Sequence, residues 1–249
     1  WGQLHNATEQ DLSNKKFVIF EKIHGTNTGC HIYFDEDGEV YILLSKRTSY
    51  LYGEENKQFY NIARTYSKYI PTLIECAKSA CYEEGLDFRG KTVRFYGELY
   101  GGSYNKGKQE GTMKIQNGMD YAPGNHVAFF DCSIENTIVL SPEKLSHLLE
   151  RYQLPMVPFI AVGDFDELNG IFNPNTFNSQ VHKLHQKEIE EHGISILPSH
   201  KCEGGMLRPY EMGTNTEYCF KWKADEYLER GKKPQAKNNF KEDFNFLVR

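Results

Sequence analysis

The sequence predicts a mixed helix-and-strand fold weighted towards strands, on three observations. Short apolar runs recur along the chain, at 17–23, 40–44, 91–100, 126–134 and 155–162. Aromatic residues make up 14% of it, including 16 Tyr and 16 Phe, and both types are enriched in strands. Three longer stretches, 55–84, 141–152 and 179–192, read instead as helices. The 249 residues suit one large domain or two small ones, and a hydrophobic content of 39% allows a sizeable core. No apolar run approaches the length of a membrane span, and no signal-peptide pattern opens the chain. Trp1 in place of Met predicts a trimmed chain or a fragment.

Phe17-Val18-Ile19-Phe20 reads as a buried strand, interrupted by Glu21-Lys22 and followed by Ile23-His24-Gly25-Thr26-Asn27. Lysine is seldom buried without a partner. Lys22 is therefore either a strand-end residue snorkelling to water or a working amine. Thr28–Phe34 and Val40–Leu44 form a hairpin across the turn signal Asp35-Glu36-Asp37-Gly38. Ser45-Lys46-Arg47-Thr48 follows, as a solubilising edge or as a basic pair reaching the cleft of Lys22. Residues 55–84 predict a covering helix pair, with a break or a new first turn at Pro71.

Lys91–Tyr100 is the next strand, and Glu98 repeats the oddity of Lys22, an ionisable group after a β run beside Gly97. Residues 101–125, rich in Gly, Lys and Asn, predict an exposed loop. His126–Ile134 is an apolar strand. Its Phe130 reads as core packing or as an aromatic face for a purine, and Asp131 is an unusual core choice. Asn136–Leu140 completes a hairpin. Ser141 caps the following helix, with Pro142 in its first turn. Pro155–Val162 predicts a short strand, 164–171 a short helix, 173–178 a loop and 179–192 a charged helix. None of 141–193 is expected to carry chemistry.

Polar groups on strands return at His200–Pro209, where Glu203 precedes Gly204-Gly205, and at 216–223. Lys221 and Lys223 share one face of that last strand because the side-chain period is two. They suit a phosphate chain, or a wet face of an antiparallel sheet. Ala224–Arg230 predicts a short helix.

The six cysteines form no Cys-x-x-Cys pair and no zinc-type spacing with histidine, so they read as reduced, mostly buried thiols in an intracellular protein. The closest histidine pair, His182 and His185, reads as a solvated helix face rather than a metal site. Net charge is −5, against a protein that merely coats nucleic acid. Lys221–Lys241 is locally positive, with seven basic and three acidic residues.

Taken in order, Glu21-Lys22-Ile23-His24-Gly25-Thr26-Asn27, Lys46-Arg47-Thr48, Gly97-Glu98, Phe130-Asp131, Glu203-Gly204 and Lys221-x-Lys223 resemble the motifs of the covalent nucleotidyltransferases, the superfamily of polynucleotide ligases and capping enzymes. The first motif is similar to that of the RNA ligase 2 family, nick-sealing enzymes that include kinetoplastid editing ligases. The resemblance covers roughly 17–223. It implies an α+β nucleotidyltransferase domain of two antiparallel sheets around a nucleotide cleft, flanked by helices, spanning 1–249. Residues 224–249 would be a basic tail linking to a further module.

What the resemblance implies for function is an ATP-dependent RNA ligase joining 3′-hydroxyl and 5′-phosphate ends at nicks in duplex RNA, as in RNA repair, through a lysyl-AMP intermediate. Lys22 would be the nucleophile. Glu21 and Ile23 would flank adenine, and Asn27 and Arg47 would hold the ribose and phosphates. Glu98 would contact the ribose and help order a metal, and Phe130 would stack on the base with Asp131 in support. Glu203 would hold waters of Mg²⁺ (or Mn²⁺), and Lys221 and Lys223 would bind the α-phosphate and the leaving pyrophosphate. A free lysine titrates at about 10.4, and neighbouring cations favour the neutral amine that attack requires. The protein is expected to act as a monomer, away from membranes. Two rivals are a GTP-using capping-type enzyme, disfavoured by His24 where those usually carry Asp, and an inactive relative that binds duplex ends.

Overall fold

The computed structural model describes residues 2–102, 111–117, 119–193, 201–211 and 219–228. His200, the start of the last strand at 216–218, parts of the 101–125 loop and the basic tail beyond 228 lie outside the described residues. Two sheets form the frame. The first has the order β1 (Gly2–Gln3), β11 (Phe220–Lys223), β10 (Gly204–Pro209), β2 (Phe17–Glu21), β9 (Phe159–Gly163). The second has the order β5 (Ser49–Leu51), β4 (Val40–Lys46), β3 (Thr26–Phe34), β6 (Thr92–Gly101), β7 (Asn125–Ile134), β8 (Ile138–Val139).

Among the described strands, every pairing is antiparallel except β1 with β11, which is parallel. The expected two antiparallel sheets are thus present, with one parallel pair at an edge. There a two-residue strand from the start of the chain covers β11, whose other side is taken by β10. Such a short edge leaves little backbone open to further pairing.

The apolar run at 17–20 becomes the central strand β2 because it is buried on both faces. Val18 and Phe20 pack into one apolar cluster, and Phe17 and Ile19 into another. The largest core lies on the outer face of the second sheet. Cys30, Ile32 and Phe34 of β3, Val93 and Phe95 of β6 and Cys132 and Ile134 of β7 meet α4 (Ile70–Glu83) and α5 (Pro142–Arg151) there. The hairpin at 35–38 forms as expected. The Asp35 carboxylate accepts the N–H groups of Asp37 and Glu39, and Gly38 takes φ +86°.

Several expectations need revision. The helical stretch 55–84 is three helices: α2 (Glu55–Gln58), α3 (Ile62–Ser67) and α4. One break falls at Tyr60 and Asn61, both with positive φ, and a second lies between α3 and α4, where Pro71 stands in a new first turn as expected. The 101–125 loop is not wholly exposed, since Ile115, Met119, Tyr121 and Ala122 are buried. Residues 181–185 form a 3₁₀ turn that leads into α7 (Gln186–Glu191), and Asp225–Tyr227 is a 3₁₀ turn rather than a helix. The first helix, α1 (Glu9–Leu12), and α6 (Phe165–Ile171) each start with a capping box, at Thr8 and at Asp164. All six cysteines are buried and unbridged. No described helix is long and apolar enough to cross a membrane.

Two bulges shape the inner faces. Tyr96 pairs with Asp131 and Gly97 with Phe129, which leaves Phe130 as the extra residue of β7. A bulge re-aims the residue that it inserts. Gly97 permits the arrangement, because a Cβ there would meet the Val127 Cγ2 at 2.7 Å and the Ala128 carbonyl at 2.9 Å. A second bulge lies between β2 and β9 at Ile19 and Phe20.

Candidate active site

The site forms where β2, β10 and β11 end together. β2 stops at Glu21, and the Lys22 backbone N–H donates to the Gly204 carbonyl at 2.8 Å. Glu203 stands just before β10, and Gly204 is in register with Lys223 of β11. The Lys22 Nζ lies 2.8 Å from the Glu203 Oε1, and the Lys223 Nζ lies 3.8 Å from the same oxygen. On the other carboxylate oxygen, the His24 Nδ1 makes a 3.2 Å contact. One buried carboxylate is thus shared by two lysines and a histidine. Burial alone would raise Glu203, but the His24 hydrogen bond and the Lys22 charge outweigh it and hold the carboxyl below its ordinary range.

The second sheet adds Glu98. The segment His24–Gly25 carries the chain from β2 into β3, and Gly25 lets it cross β6 closely. A Cβ on Gly25 would lie 2.3 Å from the Leu99 carbonyl and 2.9 Å from the Glu98 Cγ. Asn27 is directly paired with Glu98. Burial pushes Glu98 up to about 7, and the charge of Glu203 adds to that, against the pull of Lys22 and Arg47. Two neighbouring carboxylates with cations around them are a donor set that suits a hard divalent ion keeping some of its waters. Glu98 and Glu203 fit such an ion.

Other expected residues stand further out. Arg47 is in the turn after β4, within electrostatic reach of Glu98. Ile23 is 2% exposed and belongs to an apolar cluster with Tyr100 and Tyr121, against which Phe130 packs. Lys221 pairs with Met206 and lines a cavity of about 320 Å³ together with Lys223. Glu21 does not join the group around Lys22. Its buried carboxylate accepts from the Ser179 hydroxyl and from the Gln180 N–H, the latter at 2.7 Å. Burial pushes it up to about 7, and those two hydrogen bonds oppose the shift.

Sequence reasoning missed the residues that hold these parts. The Tyr121 hydroxyl accepts the His24 N–H at 3.0 Å, and the Gln116 amide donates to the Gly25 carbonyl at 2.9 Å. Arg208 of β10 reaches across to the bulge. Its Nη1 donates to the Phe130 carbonyl at 2.7 Å, and its Nη2 lies 3.4 Å from the Asp131 Oδ1. Ser179 and Gln180 belong to a stretch read as free of chemistry. The one local signal was an aromatic residue, Tyr121, in a glycine-rich loop.

Comparisons with known proteins bear on the fold and the family. The chain is similar to solved structures of the Naegleria gruberi RNA ligase. A mutant of that ligase with ATP and Mn has a TM-score of 0.57 at 14% identity, over 91% of this chain and 54% of that one. The ligase with PPi has a TM-score of 0.54 at 16% identity, over 91% and 55%. A mutant with AMP and Mn has a TM-score of 0.54 at 14% identity, over 91% and 55%. At this identity the likeness establishes the fold, and the present chain spans about half the length of those ligases. No curated protein matches it. Residues 15–223 match the RNA ligase model, and with that match over most of its length the chain belongs to the RNA ligase family.

Proposed function

We propose that this chain is the catalytic half of an ATP-dependent RNA ligase, and that Lys22 takes AMP from ATP. The observation that carries the reading is the meeting of Lys22, His24 and Lys223 on the one carboxylate of Glu203. In the first step the Lys22 amine attacks the α-phosphorus. An N–P bond forms, the bond from that phosphorus to the bridging oxygen breaks, and pyrophosphate leaves. The Lys22 ammonium gives its proton to solvent before the attack, and Glu203, at 2.8 Å, orients the amine. Lys221 and Lys223 stabilise charge on the α-phosphate and on the departing pyrophosphate. Glu98 and Glu203 would hold Mg²⁺ or Mn²⁺ through water, an ion that would supply further neutralisation of phosphate charge.

The base lies on Phe130, aimed by its bulge, with Ile23 and Glu21 at the edge of its pocket. Asn27 and Arg47 hold the ribose and phosphates. AMP then passes to an RNA 5′-phosphate and Lys22 leaves. An adjacent 3′-hydroxyl attacks that phosphate, and AMP departs. The substrate is a nick in duplex RNA, the protein acts as a monomer, and its buried, unbridged cysteines support an intracellular setting.

The test is a labelled-nucleotide chase. Protein stripped of bound AMP is incubated with α-labelled ATP or GTP and Mg²⁺, then given nicked duplex or single-stranded RNA. Label is expected on the protein from ATP alone, followed by transfer to the nick 5′-phosphate. Label from GTP, or none on folded protein, would contradict the proposal.

A further inference from the structure

Away from Lys22, three side chains from distant parts of the chain meet at one point. His126 lies near the start of β7, His185 ends the 3₁₀ turn at 181–185, and Glu188 is in α7. The His126 Nε2 is 2.8 Å from the Glu188 Oε2, and the His185 Nδ1 is 3.6 Å from that same oxygen. The three donor atoms all lie within 4.8 Å of one another, and the two imidazole centroids are 4.0 Å apart. Donor atoms around a tetrahedral zinc ion, bonded at about 2.0–2.1 Å, stand about 3.3 Å apart. The two measured separations bracket that value.

Two of the remaining polar atoms are held from outside as metal ligands require: the Glu188 Oε1 accepts the Gly124 N–H at 2.8 Å, and the His185 Nε2 lies 2.9 Å from the Tyr100 hydroxyl. The His126 Nδ1 lies 3.4 Å from the Lys68 Nζ, an amine that must be neutral to accept the Nδ1–H of a ligating ring.

We propose that His126, His185 and Glu188 form a zinc site with an open fourth position, separate from the group around Lys22. Two imidazoles and one carboxylate are a donor set found on zinc, and nitrogen ligands select against Mg²⁺. Side-chain exposures of 16% for His126, 11% for His185 and 25% for Glu188 leave room for a water ligand and for entry of the ion. The ion staples α7 to β7. It also steadies the segment from Ser179 to His185, whose first residues grip Glu21 next to Lys22.

The test uses the full chain, treated with a chelator and dialysed, with Co²⁺ as a spectroscopic probe in excess Mg²⁺. One Co²⁺ per chain is expected, with the visible absorption of nitrogen and oxygen ligands and no thiolate charge-transfer band. Zn²⁺ should displace it and raise the melting temperature. Glu188→Gln keeps an acceptor for the Gly124 N–H, so it should fold like the wild type in chelator. It should bind Co²⁺ more than about 100-fold more weakly, since loss of an outer contact alone costs about 10–100-fold. Tyr100→Phe should cost about 10-fold. His185→Gln is the independent second ligand variant, should Glu188→Gln not fold. No stoichiometric Co²⁺ on the wild type, a thiolate band, or unchanged affinity in the ligand variants that fold would overturn the proposal.

Discussion

At the scale of single residues, the proposed site turns on its buried ionisable groups. Glu98 is held near 7 rather than at its ordinary 4.5. The folded protein therefore keeps this proton between about pH 4.5 and 7 while the unfolded chain loses it, so Glu98 makes stability fall as pH rises through that window. Glu98→Gln is expected to show a shallower decline of melting temperature from pH 4.5 to 7, while losing transfer of AMP to the protein. An unchanged slope would show that Glu98 is not the group concerned. Arg208 acts on a different residue, the bulged Phe130. Arg208→Met removes the cation beside Asp131 and should destabilise the fold by about 3–5 kcal/mol, the range for breaking a buried pair. Pairing it with Asp131→Asn should recover part of that in denaturant titrations, without restoring ATP affinity. Lys22, Glu98 and Glu203 were legible in the sequence because an ionisable group that interrupts an apolar strand stands out against its neighbours. Arg208 was not, since a single arginine inside a strand gives no hint of a partner 77 residues away.

Among the elements, the short connection His24–Gly25 between the two sheets matters most. Tyr121 fixes one end of it and Gln116 the other. Gly25→Ala would drive a Cβ into the Leu99 carbonyl, a backbone atom that has little freedom to retreat. The expected cost is about 1–3 kcal/mol, as for overpacking, together with loss of Lys22 adenylylation. Wild-type labelling by Gly25→Ala would show that the connection tolerates displacement. The strands themselves were readable from their period and composition. The helix break at Tyr60 and Asn61 was not, because a pair of left-handed residues without glycine leaves no local mark. The burial of Ile115, Met119, Tyr121 and Ala122 in the 101–125 loop was missed for a related reason. The loop's glycines and polar residues signal exposure, while Tyr121 is buried in a cluster with Phe20 and Ile23, distant in sequence.

Across the whole molecule, the two sheets contribute unlike things to one place. The first brings Lys22, Glu203 and Lys223 from three adjacent strand ends. The second brings Glu98 and the bulged Phe130 from neighbouring strands. This convergence was legible only through the order of the motifs, since no local pattern states which strands are neighbours. The same argument explains why His185 was paired in the sequence with His182 and not with His126, 59 residues earlier in the chain. The most direct measurement is tandem mass spectrometry of the protease-digested protein after incubation with ATP and Mg²⁺. An AMP adduct on the Lys22 side chain, absent from Lys22→Ala, is the predicted result. An adduct on another lysine, or a folded, AMP-free protein that acquires none, would contradict the assignment of Lys22 as the nucleophile.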